Sequence, residues 1–263
     1  MKAKFLTKPL ALTFVAAVFG AGDASAVLFG DFQIDESPYG GGTVTADKVN
    51  GAYVERVTFD GIGGFDVVAY ANYGQYLANE GSLNVPTVLN DAGANQGYGL
   101  YATLIATGVV SDLGGGLTQF TGTSGDYDLY VDPLQDTTFG LPASAPGSVI
   151  LGNNGDDLRI GFSTTAGLGP ATGILQAGVG GFFDFLWGDF TLTNPDGTGF
   201  FIDPAPFFET MNLDGDFEDF QPVGNQIVTG DISMVFPIPE PTSLALMSLG
   251  LLGFGYSRRR QAS

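Results

Sequence analysis

Short segments in which apolar and polar residues alternate constrain the fold of this chain more than any other feature. The clearest alternation occupies residues 228–236, 158–163, 127–132 and 190–193. Because successive side chains of a β-strand point to opposite faces, a period of two indicates a strand with one buried face. Further apolar segments of strand length lie at residues 28–33, 52–59, 65–76, 100–110, 149–151, 182–187 and 199–202. The sequence therefore predicts an antiparallel all-β body.

Clusters of turn-forming residues separate these segments. The chain contains 41 glycines and 14 prolines, and clusters of Gly, Asn, Asp and Pro lie at residues 40–42, 114–116, 153–155 and 194–197. These residue types favour tight turns because they adopt the backbone conformations that turns require. No segment between the two ends of the chain has a convincing helical period. About ten strands in one body favour an antiparallel β-sandwich, for which jelly-roll-like connections are one option.

The N-terminus has the organisation of a secretion signal. Three lysines lie among the first eight residues, an apolar run occupies residues 10–20, and the small residues Ala24 and Ala26 flank a serine. This order is typical of a peptide that signal peptidase removes after a small-x-small motif. We therefore predict a signal peptide at residues 1–26 and a mature body at residues 27–238.

Residues 239–263 combine three features in a fixed order. A Pro-Glu-Pro motif comes first, an uncharged and largely apolar stretch follows at residues 244–256, and a cluster of arginines comes last. The residues of the motif and of the cluster are Pro239, Glu240, Pro241, Arg258, Arg259 and Arg260. A helix over the apolar stretch would be about 20 Å long, shorter than a hydrocarbon core of about 30 Å. We therefore predict a short membrane helix that inserts only transiently, with its arginines on the cytoplasmic side.

Together these three features resemble the PEP-CTERM sorting signal of Gram-negative bacteria that make exopolysaccharide. The resemblance implies that an exosortase, a membrane transpeptidase-like enzyme, processes the chain near the motif. It also implies export through the inner membrane of a Gram-negative bacterium, followed by a final location at the cell surface or in the extracellular matrix. We accordingly expect a signal peptide, a β-sandwich ectodomain at residues 27–238 and a sorting segment at residues 239–263.

Charge and composition exclude several classes of function. The chain has a net charge of −19 at pH 7, and only Lys48, Arg56 and Arg159 are basic outside the two terminal segments. Nucleic acid is excluded as a partner because the body has no basic patch to replace phosphate counterions. The chain has no Cys and no His, which excludes Ser-His-Asp and Cys-His catalysis and the common zinc ligand sets. We expect a protein without catalytic residues and without a cofactor other than, at most, calcium.

One acidic segment, residues 212–219, places oxygen ligands at alternate positions, as calcium loops do. The candidate ligands are Asp214, Asp216, Glu218 and Asp219. The EF-hand pattern fails here, because Phe217 stands where the loop needs Gly and Val223 where it needs a bidentate Glu. A calcium site of another kind and a solvated acidic turn are the two remaining interpretations. Residues 154–157 form a second acidic segment, but Asn-Gly-Asp is ordinary turn chemistry.

Two further patterns have both a functional and a structural interpretation. Asp184 and Asp189 flank Trp187, and a glycosidase needs two carboxylates facing each other across a cleft. Acidic side chains on the polar face of a strand are the simpler explanation. Aromatic residues are frequent at positions 182–190 and 70–76; such rings stack on sugars, but a β-sandwich also needs their volume in its core. We expect most of them to be core residues.

A second resemblance extends into the body. In order along the chain, short motifs resemble those of the flocculation-associated PEP-CTERM protein family. These motifs occupy residues 50–55, 74–76, 97–101, 130–133, 137–139, 154–157 and 200–204. The resemblance implies a secreted, matrix-associated protein that promotes flocculation through the exopolysaccharide matrix. The alternatives are a calcium-dependent adhesin and a secreted hydrolase of matrix polysaccharide.

Overall fold

The computed structural model describes residues 29–91 and 97–238, so the predicted signal peptide and sorting segment lie outside the described residues. The strands are β1 (Phe32–Asp35), β2 (Thr43–Ala46), β3 (Lys48–Phe59), β4 (Gly64–Ala78), β5 (Leu83–Asn84), β6 (Gly99–Gly114), β7 (Leu117–Asp132), β8 (Thr138–Gly140), β9 (Ile150–Gly152), β10 (Leu158–Ser163), β11 (Leu168–Gln176), β12 (Gly180–Trp187), β13 (Thr191–Leu192), β14 (Phe201–Asp203), β15 (Met211–Phe217) and β16 (Asn225–Val235). One short helix, α1, spans Asp196–Phe200, and 3-10 turns span Ser37–Tyr39 and Thr165–Gly167.

Eight of these strands form one antiparallel sheet that closes into a barrel. Around the barrel the order is β3, β4, β6, β7, β11, β12, β15 and β16, and β16 pairs with β3 to complete the ring. Strand β7 pairs with β6 along its whole length on one side. On its other side, residues 117–121 pair with β11, and residues 127–131 pair with β10, which is itself paired with β13. The barrel is therefore closed by the first half of β7 and extended outward by the second half.

Tight turns allow the long hairpins of the barrel. The turn between β6 and β7 is Gly114-Gly115-Gly116, in which all three residues have positive φ angles of 78°, 66° and 82°. A residue with a Cβ atom adopts this left-handed region only at a cost, so three consecutive glycines suit this turn. The sequence predicted a turn at these residues, and the structure confirms it.

A short hairpin covers part of the barrel's outer surface. It consists of β8, β9 and the loop between them. The ring of Phe139 stacks on Tyr70 of β4 at 4.9 Å between centroids and packs edge-on against Tyr101 of β6 at 5.0 Å. In the loop, the backbone N–H of Ala145 donates to Thr58 Oγ1 of β3 at 2.8 Å. The outer face of β3, β4 and β6 is therefore partly buried.

A small sheet in the order β14, β1, β2 closes one end of the barrel. It is attached to the end of β16, where the N–H of Gly30 donates to the Phe236 carbonyl at 2.8 Å. The buried ring of Phe32 packs edge-on against Phe201 and Phe236, with centroids 5.7 and 5.5 Å away. Burying aromatic rings contributes more to stability than burying most other side chains. We call this the capped end.

The opposite end of the barrel is closed by side chains alone. Phe220, in the segment between β15 and β16, packs against Phe59, Phe120 and Phe217, with centroids 6.2, 5.9 and 5.6 Å away. Phe220 is half-buried, and most of its neighbours in residues 218–224 are exposed. We call this the phenylalanine end.

The antiparallel all-β prediction is confirmed, and the structure adds how the strands are arranged. The sequence predicted two sheets packed as a sandwich, whereas the main sheet closes on itself through the pairing of β7 with β11. Sandwiches and barrels both need strands with one apolar face, so alternation alone does not separate them. Among the described residues, no helix has the length and apolar character needed to cross a membrane.

Candidate functional site

The predicted sorting and cleavage residues lie in the parts of the chain that the structure does not describe. Ala24 and Ala26 precede the first described residue, and Pro239, Glu240 and Pro241 follow the last one. The arginine cluster also lies in this C-terminal part. These assignments therefore rest on the sequence.

The acidic segment expected to be a loop is strand β15 as far as Phe217. Asp214 and Asp216 lie on its outer face because Leu213 and Phe217 occupy the buried face. Asp216 Oδ1 accepts a hydrogen bond from the Asp231 N–H at 3.0 Å. The alternate spacing that suggested calcium ligands is therefore the polar face of a barrel strand.

The other two candidate ligands follow the strand. The N–H of Glu218 donates to the Thr229 carbonyl at 3.2 Å, and Asp219 Oδ1 accepts from the N–H of Gly178 at 2.9 Å. Burial raises the pKa of Asp214, while Lys48 lowers it and Asp184 raises it. The four candidate carboxylates do not converge into a cluster of three or more.

The two carboxylates that flank Trp187 in the sequence, Asp184 and Asp189, lie in different environments. Trp187 is fully buried inside the barrel, where its Nε1–H donates to the Gly125 carbonyl at 3.2 Å. Asp189 Oδ2 accepts from the Thr164 hydroxyl at 2.6 Å and from the Thr164 N–H at 3.1 Å. Asp184 lies on the outer face of β12 and accepts from Asn212 Nδ2 at 2.5 Å. Each carboxylate therefore has its own hydrogen-bond partners, and Trp187 is buried in the interior and does not lie in a cleft between them.

The aromatic residues of positions 70–76 divide between the two faces of β4. Tyr73 and Tyr76 are buried inside, and Tyr70 lies outside under the hairpin ring of Phe139. On β12, Phe182 lies outside and is 58% exposed. Most of these rings are core residues, as predicted.

A different group of carboxylates does come together. Oxygen atoms of Asp132, Asp136 and Asp156 lie within 4.8 Å of one another. Asp132 is buried and accepts backbone hydrogen bonds from Leu134 at 3.1 Å and from Thr137 at 2.9 Å. Calcium takes roughly six to eight oxygen ligands, so these three carboxylates could hold it only together with backbone or water oxygens.

Asp157, beside this group, already has protein partners. Its carboxylate accepts hydrogen bonds from the Tyr101 hydroxyl at 2.6 Å and from Thr137 Oγ1 at 2.9 Å. Burial raises the pKa of Asp157, the two hydrogen bonds lower it, and the nearby Asp132 and Asp156 raise it again. Asp156 was part of the second acidic segment of the sequence, but nothing in the sequence linked it to Asp132 or Asp136.

A groove of about 500 Å³ lies on the barrel's outer surface beside the hairpin. The outer faces of β6, β7 and β10 form its floor, and residues 148–151, at the end of the hairpin loop and the start of β9, form one wall. The groove is lined by Thr103, Ile105, Asp126, Asp128, Tyr130, Ser148, Val149, Leu151, Arg159, Ser163 and Thr164. We call it the outer groove.

The outer groove presents charged, hydroxyl and aromatic groups side by side. Arg159 forms an ion pair with Asp128, and its Nε–H donates to that carboxylate at 2.7 Å. The ring of Tyr130 is stacked on Tyr101 at 5.0 Å, which fixes its orientation. Ser163 is buried, and its Oγ has no hydrogen-bond partner within the described part of the chain. Such a mixture of hydrogen-bonding groups and a ring face can bind a polyhydroxylated ligand.

The comparison with family models decides one point. Residues 237–260 match the family described as the PEP-CTERM protein-sorting motif. The chain carries a PEP-CTERM sorting motif. This motif implies processing by an exosortase, export and sorting to the cell surface. No curated protein and no solved structure is significantly similar to the chain.

Sequence reasoning found the sorting motif but missed the outer groove. The motif is a contiguous pattern, whereas the groove combines β6, β7, β10 and the hairpin loop. Arg159 offered one indication, because it is one of only three basic residues outside the terminal segments. Its pairing with Asp128 depends on the register between β7 and β10.

Proposed function

We propose that this protein is a non-enzymatic component of the extracellular polysaccharide matrix that promotes the flocculation of cells. The observation that carries the proposal is the position of the sorting motif. Strand β16 ends at Val235, and the motif begins at residue 237. The barrel is thus joined directly to the motif and is the cargo that an exosortase delivers outside the cell.

The outer groove supports contact with polysaccharide. It is open along the barrel surface, so a polymer can lie in it without threading an end. Asp128 and Arg159 offer directional hydrogen bonds to sugar hydroxyls, and Tyr130 offers an aromatic face. The strongly acidic chain repels polyanions, which favours a neutral polymer over an acidic one.

The first experiment tests sorting and function together. A strain lacking the gene is complemented with the wild-type protein or with Glu240→Ala, and both flocs and total polysaccharide are measured. We expect the deletion strain to make polysaccharide but remain dispersed, and Glu240→Ala to leave it dispersed while uncleaved protein accumulates in the membrane. Normal flocculation by the deletion strain would refute the proposal.

The second experiment tests the outer groove with charge-balanced variants. Asp128→Asn combined with Arg159→Gln removes the ion pair without leaving one charge unpartnered. The matched control is Lys48→Gln with Asp214→Asn, which removes an interacting lysine and carboxylate elsewhere on the barrel. We expect the groove variant to be exported and cleaved but to bind the producer's polysaccharide at least about tenfold more weakly than the control. Equal binding by the two variants would remove the groove from the proposal.

Two further measurements distinguish the proposed matrix component from a secreted hydrolase and from a calcium-dependent adhesin. Release of sugar from the producer's polysaccharide by the purified protein would identify a hydrolase instead of a matrix component. Dispersal of flocs by a chelator, restored by calcium only when Asp132, Asp136 and Asp156 are intact, would identify a calcium-dependent adhesin.

A further inference from the structure

The interior of the barrel contains a cavity of about 70 Å³. It lies between the buried layer around Tyr127 and the rings of the phenylalanine end, including Phe65, Phe120 and Phe220. An eight-stranded barrel is just wide enough for its own side chains to fill or for one small ligand. Here the side chains of the described residues leave space whose lining is almost entirely aliphatic and aromatic.

The cavity exists because one wall of the barrel carries small residues. Ala69, Ala71, Ala102, Gly122 and Gly173 all line it. Large side chains at these inward positions would fill the space, as Trp187 does nearer the capped end. Protein interiors are close-packed, and a void of this size forfeits contacts that the wall would otherwise make. An occupant would recover those contacts.

A single carboxyl group belongs to this apolar cavity. Glu55 lies on the inner face of β3 between Tyr53 and Val57, opposite Val228 of β16 and Ala69 of β4. Among the described residues, no hydrogen bond to its carboxyl group is formed. The Glu55 side chain is partly accessible and lines the cavity. In the residues that the structure describes, the buried hydroxyl of its neighbour Tyr53 lacks a partner as well. Buried polar groups without partners are rare in proteins and costly.

We propose that the barrel interior is a binding site for a small, neutral and largely apolar molecule with one hydroxyl group, which hydrogen-bonds to the carboxyl of Glu55. This site is separate from the outer groove and does not depend on the function proposed above. At protein-like packing, a cavity of this size holds roughly three or four non-hydrogen atoms. An engineered apolar cavity of about 150 Å³ in another protein binds benzene, so an occupant about half as large fits here.

The state of Glu55 decides between a hydroxyl group and a charged group on the ligand. Burial raises the pKa of Glu55 to about 8, so the carboxyl is mostly protonated at pH 7 and offers both a donor and an acceptor. A hydroxyl group complements both. An ammonium group would need the ionised carboxylate and would lose its own hydration in an apolar cavity. A second carboxylate would add a charge that nothing in the cavity neutralises.

The ligand can reach the cavity through the phenylalanine end. Phe220 is the cavity-lining ring carried by a segment outside the regular strands, and it is half-buried. At the other end, the sheet of β14, β1 and β2 and its buried phenylalanines obstruct the passage. Rotation of the Phe220 side chain would therefore open a route from solvent into the cavity.

The test uses two ligands of similar size that differ in one group, 1-propanol and 1-chloropropane. The protein, in the form that a producing strain exports, is titrated with each at pH 6.5, and binding is followed by NMR chemical shifts. The variants are Glu55→Leu, which replaces the carboxyl by an apolar group, and Glu55→Gln, which keeps a donor and an acceptor. Glu209→Gln, at an exposed residue, is the matched control.

We expect the wild-type and control proteins to bind 1-propanol with shifts in residues that line the cavity. In Glu55→Leu, the preference for 1-propanol over 1-chloropropane should fall at least about tenfold. Glu55→Gln should keep most of the preference, and it also serves if the leucine variant is not exported. The proposal is overturned if 1-propanol does not bind the wild type at 100-fold the concentration of protein. It is equally overturned if the preference is the same in all four proteins, because binding would then not involve Glu55.

Discussion

The two halves of the barrel interior are filled in opposite ways. Toward the capped end, large side chains fill the space and their polar atoms are paired. Tyr73 and Tyr127 share a hydrogen bond of 3.0 Å, the Tyr127 hydroxyl contacts Met234 Sδ at 3.4 Å, and Trp187 donates to a backbone carbonyl. Toward the phenylalanine end, small residues leave a cavity, and Glu55 has no hydrogen-bond partner among the residues that the structure describes.

The same contrast holds for the carboxyl groups of the two halves. Glu36, near the capped end, is fully buried, and it accepts hydrogen bonds from Tyr98 at 2.9 Å, from the Val88 N–H at 3.2 Å and from the Thr87 hydroxyl. Paired polar groups in a dense core stabilise one arrangement, whereas an unpaired carboxyl beside a void reduces stability. The difference indicates that the capped half maintains the fold, while the other half retains a feature that stability alone does not explain.

The largest expected effect tests the capped half. Trp187→Ala removes a fully buried ring and leaves a cavity next to Tyr127 and Phe185, so we expect the free energy of unfolding to fall by about 3–5 kcal/mol. Denaturant unfolding measures the change. The control is Phe182→Ala on the same strand, where the ring is 58% exposed and the loss should be below about 1 kcal/mol. Similar losses in both variants would show that the interior is not packed as described.

The second prediction concerns the pH dependence that Glu55 adds. Burial raises its pKa from an ordinary 4.5 to about 8, so between these values the folded protein retains a proton that the unfolded chain releases. The stability that Glu55 adds to the folded protein is therefore fully present below pH 4.5 and is lost as pH rises through 8. We expect a fall of about 1 kcal/mol per pH unit within this range, and a few kcal/mol in total.

Comparison with Glu55→Gln isolates this contribution, because the variant has no titratable group at the position. Burial also raises the pKa of Asp157 and Asp214, so the wild-type curve alone would mix several groups. Denaturant unfolding from pH 4.5 to 9 should show the two proteins diverging as pH rises, with the variant the more stable. Parallel curves would mean that Glu55 titrates normally and that the two halves do not differ in this respect.

The third prediction concerns the hydrogen-bonded carboxyl of the capped end. Tyr98→Phe removes the hydroxyl that links Glu36 to Tyr76, so we expect a loss of about 1–3 kcal/mol. Tyr70→Phe, on the outer face of the barrel, should cost less than about 0.5 kcal/mol. Thermal unfolding at pH 7 measures both changes. A loss in Tyr98→Phe no greater than in this control would show that Glu36 does not need its partner.

The strands with unbroken alternation could be predicted from the sequence. Strand β10 has the predicted bounds, and most of β16 was predicted as well. Strands β11 and β15 were missed; β11 joins β7 to β12, and β15 joins β12 to β16, so both are needed to close the ring. The missed strands explain why the sequence suggested a sandwich when the main sheet is a closed barrel.

Glycine explains why β15 was missed. The inner face of β15 includes Gly215, where a Cβ atom would lie 2.2 Å from the Asp231 carbonyl oxygen and 2.7 Å from the Phe183 ring. Close packing therefore requires glycine at a position where the alternation pattern expects an apolar side chain. The carboxylates on the outer face then made the segment resemble a calcium loop.

The candidate sites were predictable to different degrees. The sorting motif could be predicted in full because it is contiguous. Glu55 could have been found, since period two places it between the inward residues Tyr53 and Val57 of a predicted strand. That it lies beside a cavity depends on small residues of β4, β6, β7 and β11, which are distant in the sequence. The outer groove could not be predicted for the same reason, because its lining residues are also distant in the sequence.

The smallest expected effect on stability tests the phenylalanine end. Phe220→Leu keeps an apolar side chain over Phe59, Phe120 and Phe217 but removes the ring contacts, so we expect a loss of at most about 1 kcal/mol. The cavity, however, becomes easier to enter because the smaller side chain covers less of its end. Xenon is a suitable probe, since it is apolar and binds without a hydrogen bond to Glu55. Its exchange between cavity and solvent, measured by xenon NMR, should be several-fold faster in the variant. Phe208→Leu changes a ring stacked on Phe236 at the capped end and should leave the exchange rate unchanged. Equal acceleration in both variants would mean that xenon enters from either end, and that only packing density distinguishes the two halves.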